Sequence, residues 1–502
     1  MRGADMSVSY DEAEFTALQE RLAPMWPGIT LRTVETMSRV IVVVTSMSVE
    51  VPDSVLPVVP AYEERYLFYT MALARSRGTH VVYVTSRPVL PRLVDYYLEL
   101  TTGLGEADLR SRLSVVSVGD ASPGPLTAKV LARPLLIERL RQIVSGYENA
   151  ILTTFMTTPL EVELALRLGV PVYGSSPALS HLGTKTGSRE AFAAAGVPLP
   201  RGVCGVRTPE DVADAVLSLQ ADGAGDRYVV KTDEGYSGLG NAMLDVVPNA
   251  TRDEALAATG QVVPADPDQP AEDYLASLAR IGGIVEEWVD ADEVDSPSVQ
   301  LRVSPLGEVE VLSTHSQILG GRGGLAYLGC RFPAPERFIP DLTRYGTAIG
   351  EVLAGHGVLG RFAVDFVMAR RGGEWSPYAI EINLRNGGTT HPALTLLALT
   401  DGTYDEESGM FAARTGPKFY VASDHLEREE YRRLTPDDVL DVVGASGISW
   451  DDDRQVGVAL HMVSAVAVAG RLGATAIGDS PEHAQELYDS LVRVLDEAAG
   501  VP

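Results

Sequence analysis

The sequence predicts a protein of mixed fold class, α/β over its first third and α+β thereafter. Short apolar runs alternate with amphipathic segments up to about residue 180, the pattern of a parallel, doubly wound sheet. Beyond about residue 284, polar and apolar residues alternate along the predicted strands, which indicates an antiparallel sheet. The C-terminal end predicts a small α+β domain. The length suggests three or four units, which we place at 1–180, 181–290, 291–400 and 401–502.

The N-terminal elements are predicted from aliphatic, β-branched runs and from the amphipathic stretches between them. The expected strands are RVIVVV (39–44), HVVYVT (80–85), LSVVSV (113–118), AILTTF (150–155) and VPVYGS (170–175). The expected helices cover 63–75, 133–144 and 160–168.

Residues 187–195 predict a further helix, and the polar, proline-rich segment 247–273 predicts a surface excursion. Ser480 is a favourable N-cap for a last helix. The C-terminal domain is expected to contain an apolar element at 456–466, a strand at 470–478 and this helix at 481–498.

The composition is that of a folded protein with an acidic surface. Hydrophobic residues make up 45%, charged residues make up 22%, and the formal net charge is −27. Such a surface repels nucleic-acid phosphates and anionic membranes, so neither is expected as a partner. An anionic small molecule stays compatible, because a few cationic side chains in a cleft can override the global field.

Cysteine usage and the N-terminal segment predict a cytoplasmic protein. Cys204 and Cys330 lie far apart and offer neither metal-ligand spacing nor a disulfide framework. The N-terminal segment MRGADMSVSYDEAEF is acidic and has no apolar core, so no signal peptide is expected. The longest aliphatic runs have the length of a strand and not that of a membrane span.

Two lysines are candidates for binding an anion. Lys231 ends an apolar strand, and a glycine-rich turn follows it in YVVKTDEGYSGLGN. Glycine N–H groups approach phosphate closely, and a lysine adds a point charge. Lys185 lies at the start of a helix, where the helix dipole also favours anions. Taken singly, a plain hairpin and a solvent-facing lysine also explain these features.

The segment IVEEWVDADE has the residues to bind a planar base and a ribose. Trp288 and Val289 supply apolar walls, and Glu293 follows a turn, where it can accept hydrogen bonds from two ribose hydroxyls. The sequence leaves open which of Glu286 and Glu287 faces a ligand. An acidic edge strand is the alternative.

Polar side chains at every second position of AIEINLRNGG predict one functional face of a strand. Glu381, Asn383 and Arg385 share that face, and the aliphatic residues between them are expected to pack below. Asp365 lies in the otherwise apolar strand GRFAVDFVMA, where a carboxylate is costly unless it is paired or binds a metal. With Glu381 and Asn383 it supplies oxygen ligands that suit Mg²⁺ on a nucleotide triphosphate. A surface strand and a buried salt bridge are the alternatives.

Two further strands add polar side chains to the same predicted surface. Gln300 and Arg302 share a face in SVQLRV, and His315 and Gln317 share a face in STHSQILGGRGGLAYLGC. The glycine-rich loop of the latter segment is expected to be a mobile lid over a substrate. A solvated sheet face and a flexible turn are the alternatives.

The order of these motifs resembles that of the ATP-grasp superfamily. Two lysines flank a small α/β subdomain, EEWV and Glu293 follow, and Asp365 and EINLR come last. Within the superfamily the sequence is similar to the stand-alone peptide ligases of actinobacterial natural-product pathways, of the pheganomycin type. This likeness rests on THSQILGGRGGLAYLGCRFPA, EINLRNGGTTHP and GVALHMVSAVAVAGRLGATAIGDSPEHAQELY.

The resemblance implies a pre-ATP-grasp domain, an ATP-grasp fold of two subdomains and a carboxylate–amine ligase. ATP would phosphorylate a small carboxylate substrate. The amine of an amino acid or short peptide would then attack the acyl phosphate, with release of ADP and phosphate. The family also implies a homodimer.

The resemblance further implies a role for each candidate residue. ATP would be bound by Lys185, Lys231, Ser237, Gly238, Gly240, Glu286, Glu287, Trp288, Val289 and Glu293. Two Mg²⁺ ions, with Mn²⁺ as an alternative, would be held by Asp365, Glu381 and Asn383. The acyl phosphate would be stabilised by Arg385 and Arg302. The substrate would contact Gln300, His315 and Gln317.

Three other functions are weighed against a ligase. A carboxylase acting on bicarbonate usually works beside a biotin carrier, and no AMKM-like carrier motif occurs in the sequence. A regulator that binds ATP without turnover does not need a charge-neutralising arginine, such as Arg385, next to the metal ligands. A nicotinamide oxidoreductase needs a glycine-rich first strand–helix turn, but VVVTSMSVEVPDS contains no glycine.

Overall fold

The computed structural model describes residues 8–29, 38–49, 51, 55–100, 106–235, 240–321, 324 and 326–501. Within these ranges the strands form four sheets. No helix in the described part of the chain has both the length and the apolar character needed to cross a membrane.

The N-terminal region folds around a parallel sheet. Its elements are α1 Glu12–Gln19, α2 Leu22–Ile29, β1 Arg39–Val44, α3 Val59–Glu64, α4 Ala72–Arg75, β2 Thr79–Thr85, α5 Pro91–Glu99, α6 Glu106–Ser111, β3 Leu113–Ser117, α7 Leu126–Leu131, α8 Pro134–Val144, β4 Asn149–Thr154 and α9 Pro159–Leu168. The strand order is β3-β2-β1-β4, with all neighbours parallel. This confirms the predicted doubly wound sheet.

Two N-terminal predictions are wrong. The expected strand 170–175 makes only a single bridge, between Val172 and Leu152, because Pro171 has no N–H to donate to a ladder. The expected helix 63–75 is interrupted and continues as the 3₁₀ helix Leu67–Met71. The local pattern gave no signal for this interruption.

A small antiparallel subdomain follows. Its elements are α10 Lys185–Ala194, β5 Gly202–Val206, α11 Pro209–Ala221, β6 Arg227–Thr232, β7 Asn241–Asp245, α12 Arg252–Thr259, β8 Val263–Pro264, α13 Ala271–Ile281 and β9 Gly283–Glu287. The strand order is β5-β9-β6-β7-β8. The segment 247–273 is not the predicted surface excursion, because a capping box between Thr251 and Glu254 starts α12 and Ala255 is buried in the subdomain core.

The remaining chain forms one large, antiparallel sheet, a separate small sheet of three short strands, and several helices. The elements are β10 Glu293–Asp295, β11 Pro297–Val303, β12 Val309–Gly320, β13 Ala326–Phe332, α14 Ile339–Gly355, β14 Gly360–Arg371, β15 Glu374–Asn383, α15 Thr390–Thr400, β16 Thr403–Tyr404, β17 Phe411–Ala413, β18 Gly416–Pro417, β19 Phe419–Glu427, α16 Pro436–Ala445, β20 Gly457–His461, α17 Val466–Ala469, β21 Arg471–Gly478 and α18 Pro481–Ala499. Besides Leu67–Met71, the described ranges contain five further 3₁₀ helices, which are Leu56–Val58, Pro177–Gly183, Glu336–Phe338, Glu429–Arg433 and Val463–Ala465.

The C-terminal strands continue the central sheet. The order is β10-β14-β11-β12-β13-β19-β21-β20, with β15 paired to β14. The predicted strand 470–478 and the last helix are confirmed, and Ser480 caps that helix by accepting a hydrogen bond from the N–H of His483. Strand β20 is shorter than the predicted element 456–466, because Met462 adopts a positive φ of 54° directly after it. The division into four units stays a prediction.

Helix α14 fixes which face of the central sheet is available to a ligand. Its Ile349 and Leu353 pack in one core with Val299 and Val364 of the sheet. Because successive side chains alternate across a strand, the burial of Val364 under α14 turns Asp365 to the opposite face.

Candidate active site

Two cavities meet on the free face of the central sheet. The hinge cavity, of about 400 Å³, is lined by Lys231, the segment 286–289 and Asp365. The N-terminal cavity, of about 620 Å³, is lined by segments that follow β1 and β4 and by Lys185. The residues that line both cavities are Phe155, Glu381, Asn383 and Arg385. The polar face of the EINLR segment therefore lies at the junction.

The three predicted metal ligands lie together. Asp365 and Glu381 are cross-strand neighbours on β14 and β15. The Asn383 side-chain amide donates to Asp365 Oδ2 at 3.0 Å, and Gln317 donates to Oδ1 at 2.7 Å. Burial, with the charge of Glu381, raises the pKa of Asp365 to about 7, although Lys185 and Arg385 act against it. A bound cation would relieve this crowding of carboxylates, so the donor set fits Mg²⁺.

Both predicted phosphate-binding lysines are buried in ion pairs. Lys185 Nζ lies 2.7 Å from Glu381 Oε1, and Lys231 Nζ lies 2.5 Å from Glu286 Oε2. Burial acts to raise the pKa of Glu381, but Lys185, Lys231 and Arg385 together outweigh it and the pKa is lowered. Lys185 is the first residue of α10, as predicted, with Thr184 as N-cap. The lysines thus line the two cavities from opposite sides of the metal ligands.

The two glutamates of strand β9, which borders the hinge cavity, pair with different cations. Glu286 is 2% exposed, and its carboxylate pairs with both Lys231 and Arg189. Glu287 instead pairs with Arg201 Nη2 at 2.7 Å, on the more exposed side. Both residues line the hinge cavity, and the carboxylate of Glu286 is the one that pairs with Lys231. Trp288 and Val289 line the hinge cavity, as predicted.

Comparison with known proteins gives two family matches and one extensive relative. Residues 255–407 match a family model described as IQCH-like, ATP-grasp, and residues 438–491 match one described as PGM1 C-terminal domain. The chain is 34% identical over 420 residues to the L-propargylglycine–L-glutamate ligase of Streptantibioticus cattleyicolor, covering 82% of this chain and 84% of that protein. The chain belongs to the ATP-grasp ligases.

Solved structures agree with this at the level of fold. The ADP complex of purK, an N5-carboxyaminoimidazole ribonucleotide synthetase, has a TM-score of 0.54 at 14% identity, covering 93% of this chain and 98% of its own. The ADP complex of the Staphylococcus aureus N5-carboxyaminoimidazole synthetase has a TM-score of 0.50 at 11% identity, covering 92% of this chain and 100% of its own. As an ATP-grasp ligase, the protein uses ATP and a divalent metal ion.

Three predicted site residues of the ligase do not line either cavity. Glu293 faces the outer edge of the sheet, where it pairs with Arg370 at 3.0 Å, and the neighbouring Val294 and Ser296 line the hinge cavity instead. A shift of one residue reverses the face of a strand, which explains the error at Glu293.

Arg302 and His315 are displaced by elements distant in sequence. Arg302 pairs with Glu310 at 2.6 Å and lies over the ring of Trp26 from α2, at 4.8 Å. His315 is fully buried and shares a 2.6 Å hydrogen bond with the hydroxyl of Tyr420 on β19. The structure therefore places Arg302 outside the predicted catalytic position and His315 in the core.

The remaining predictions are met in part. Gln300 and Gln317 line the hinge cavity, and Gly240 lines the N-terminal cavity. Ser237 and Gly238 lie outside the described residues. The proposed lid is a hairpin of β12 and β13 whose tip lies partly outside the described residues, and its Leu319 and Tyr327 line the hinge cavity.

Strand β15 contains a bulge that the alternating sequence pattern did not reveal. The register shifts after Asp365, so that Phe366 pairs with Ala379 and Ile380 is the extra residue. As a result Ile380 lines the hinge cavity beside Glu381. Ile382, which is fully buried, and Leu384, which is partly buried, pack in the core beneath the sheet as the aliphatic face was predicted to do.

The structure also adds a buried polar network that the motifs did not reveal. Arg65 Nη1 donates to Asp424 Oδ2 at 2.7 Å, and both residues line the hinge cavity beyond Arg385. His461 and His391 lie 2.6 Å and 3.1 Å from the other oxygen, Oδ1. Burial raises the pKa of Asp424, but His391 and Arg65 lower it more strongly, well below its usual range. A carboxylate within the apolar strand FYVASDHLE was the available signal.

Proposed function

We propose that this ligase joins a substrate carboxylate to the amine of an amino acid or short peptide through an acyl phosphate. A carboxylate oxygen attacks the γ-phosphorus of ATP and ADP leaves. The amine nitrogen then attacks the acyl carbon, phosphate leaves, and the nitrogen loses a proton. The observation that carries the proposal is the position of Glu381, Asn383 and Arg385 at the junction of two cavities, because one cavity can hold the nucleotide and the other the substrate.

In this proposal the base lies in the hinge cavity and the phosphates lie at the junction of the two cavities. Trp288 and Val289 would contact the base, and Lys231 and Lys185 would bind phosphate oxygens. Glu286 would position Lys231 through their ion pair. The glycine-rich turn that ends at Gly240 would cover the phosphates.

Asp365, Glu381 and Asn383 would hold the metal, as two Mg²⁺ ions or with Mn²⁺ in their place. A bound cation there neutralises phosphate charge in the transferring group. The protein's own contribution is to hold the ligands: Gln317 and Asn383 fix both oxygens of Asp365, so the carboxylate needs little reorganisation when the cation binds.

Arg385 would stabilise negative charge on the acyl phosphate and on the tetrahedral species that follows. Its guanidinium carbon lies 5.4 Å from the centre of the Phe155 ring, which restricts the side chain to the junction. A preorganised cation of this kind lowers the barrier without moving during the reaction.

The name of the S. cattleyicolor relative gives L-propargylglycine and L-glutamate as its substrates. For this chain we propose the same class, small amino acids. A cytoplasmic location, a homodimer and the four-unit division of the chain are further parts of the proposal, and light scattering tests the homodimer.

The function is tested by ADP release with Mg-ATP over a grid of small carboxylates, amino acids and short peptides, including L-propargylglycine and L-glutamate. Release that needs both an acid and an amine, with a new amide seen by mass spectrometry, supports the proposal. Release with bicarbonate alone would instead identify a carboxylase. Release without any second substrate, and with no amide, would contradict ligase activity.

A further inference from the structure

Arg361 is a cation without an ion-pair partner in the described part of the chain. Its side chain makes no ion pair and no hydrogen bond with any residue in the described ranges, and burial lowers the pKa of its guanidinium. The cross-strand neighbour, Arg302, has both a partner and a cover, since it pairs with Glu310 at 2.6 Å and lies over Trp26. Glu310, which is close enough to influence Arg361, is thus already engaged.

A partly buried guanidinium in this state is costly. A cation held away from bulk water without a compensating anion is unfavourable, so native proteins pair such groups or place them where a ligand supplies the charge. The hydroxyl of Tyr173, which also lines the N-terminal cavity, is buried and has no hydrogen-bond partner among the described residues. A ligand that accepts hydrogen bonds would therefore satisfy both the guanidinium of Arg361 and the hydroxyl of Tyr173.

The cavity in front of Arg361 is located where doubly wound folds bind ligands. In the sheet, β2 lies next to β1 on one side and β4 lies next to β1 on the other side. The direction in which strands are added to the sheet therefore reverses between β1 and β4. Ligands of such sheets bind at the carboxyl ends of the strands at this point. Residues that follow those ends, Ser48 and Thr153–Thr157, line the same cavity as Arg361.

The same cavity reaches the reaction centre. Lys185, Glu381 and Arg385 line it on the side opposite the N-terminal sheet. A molecule bound at Arg361 therefore has access to the group that Arg385 would stabilise.

We propose that Arg361 binds a spectator carboxylate of a substrate, one that ATP does not activate, within the N-terminal cavity. This deepens the proposed ligase function and rests on it. The spectator group belongs either to the amine substrate, as its free α-carboxylate, or to the acid substrate, as a second carboxylate. In both cases the preferred substrate carries a carboxylate that takes no part in amide formation and stays free in the product.

The experiment compares Arg361→Met and Arg361→Lys with wild type, using Arg252→Met as control. Arg252 pairs with Asp214 on the exposed surface of the small subdomain. Arg361→Met removes an uncompensated charge at similar volume, so its thermal stability should not fall. Arg361→Lys keeps the charge but lacks the planar fork. The probes are L-propargylglycine, its carboxamide, L-glutamate and L-isoglutamine, titrated calorimetrically in the presence of Mg-ADP.

Wild type should bind an acid probe at least about tenfold more tightly than the matching amide, as expected for a charge-assisted contact. Arg361→Met should lose that discrimination, Arg361→Lys should retain part of it, and the control should match wild type. Affinity for Mg-ADP should stay within about twofold in all of them. Lost discrimination between L-propargylglycine and its amide places the spectator carboxylate on the substrate that L-propargylglycine represents. Lost discrimination between L-glutamate and L-isoglutamine places it on the substrate that L-glutamate represents.

Three results would overturn the inference: equal acid–amide discrimination in Arg361→Met and wild type, a loss confined to nucleotide affinity, or no discrimination by wild type for any probe. Failure of the proposed function is seen separately. The proposed ligase function fails if no amide product forms with ATP although wild type still binds the acid probes more tightly than the amide probes.

Discussion

Lys185 Nζ and Glu381 Oε1 form a 2.7 Å ion pair between the start of α10 and the end of β15. The same two groups are the ones proposed to bind phosphate and metal. The Lys231–Glu286 pair repeats the arrangement on the hinge side. Each lysine is thus neutralised by a carboxylate in the cleft, and binding of a metal–nucleotide complex would redistribute these pairings without burying a new uncompensated charge.

Replacement of Glu381 by alanine should abolish turnover and weaken Mg-ATP binding without eliminating it, because a metal ligand is lost while Lys231 and the hinge are retained. Activity is measured as ADP release and binding by calorimetry. Glu374→Ala, at the exposed start of the same strand, is the matched control and should be fully active. Full activity in Glu381→Ala would refute the assignment of the metal site.

The two hinge glutamates should differ in their contribution to stability. Glu286→Gln leaves Lys231 and Arg189 without their buried partner, which should cost about 3–5 kcal/mol of unfolding free energy. Glu287→Gln disrupts a pair with the more exposed Arg201 and should cost about 1 kcal/mol or less. Urea denaturation measures both. Similar losses in the two variants would show that the contrast between their environments is energetically unimportant.

Arg385→Ala should lower kcat by about 10²-fold or more, by analogy with the loss of one oxyanion donor. The KM for ATP should change little, because the base and phosphate contacts remain. Steady-state kinetics with each substrate varied in turn measures this. If the KM for the amine rose and kcat stayed constant, Arg385 would be a substrate anchor and not a stabiliser of the transition state.

Buried His315 should make the protein less stable as the pH falls. Burial lowers its pKa to about 3 from the usual 6.5, so between these values the unfolded chain binds a proton that the folded chain does not. Its contribution to the unfolding free energy is therefore constant above about pH 7 and declines below pH 6.5, by at most about 1.4 kcal/mol per pH unit.

The comparison with His315→Gln isolates this effect, since other titrating groups are common to both proteins. Gln can still approach the hydroxyl of Tyr420. Urea denaturation at pH 8, 6 and 5 should show wild type losing stability relative to the variant as the pH falls. A constant difference at all three pH values would mean that His315 titrates normally in the folded state.

Local patterns are sufficient to predict the parallel N-terminal sheet and the proximity of the residues proposed to bind the metal. Asp365 and Glu381 were identified because a carboxylate on an apolar or alternating strand requires a partner, and the two strands are adjacent in sequence and in the sheet. Lys185 and Lys231 were identified for a similar reason, since each precedes a local feature that favours anions.

The sequence did not indicate the position of a side chain where a segment distant in sequence covers one face of its strand. Trp26 covers the end of β11, which removes Arg302 from the site, and Tyr420 of β19 covers His315. The bulge that brings Ile380 into the hinge cavity depends on strand pairing. Arg361 gave no signal at all, because its lack of a counter-charge is a property of the folded surroundings and not of the sequence.

The most direct test of the account is to follow ¹⁸O from a carboxylate-labelled acid substrate during turnover with Mg-ATP and an amine. An acyl phosphate transfers one labelled oxygen to the released phosphate, which mass spectrometry detects as a shift of two mass units. One ¹⁸O is expected in the phosphate for each amide formed. Amide formation with unlabelled phosphate would contradict activation of the carboxylate by the γ-phosphoryl group.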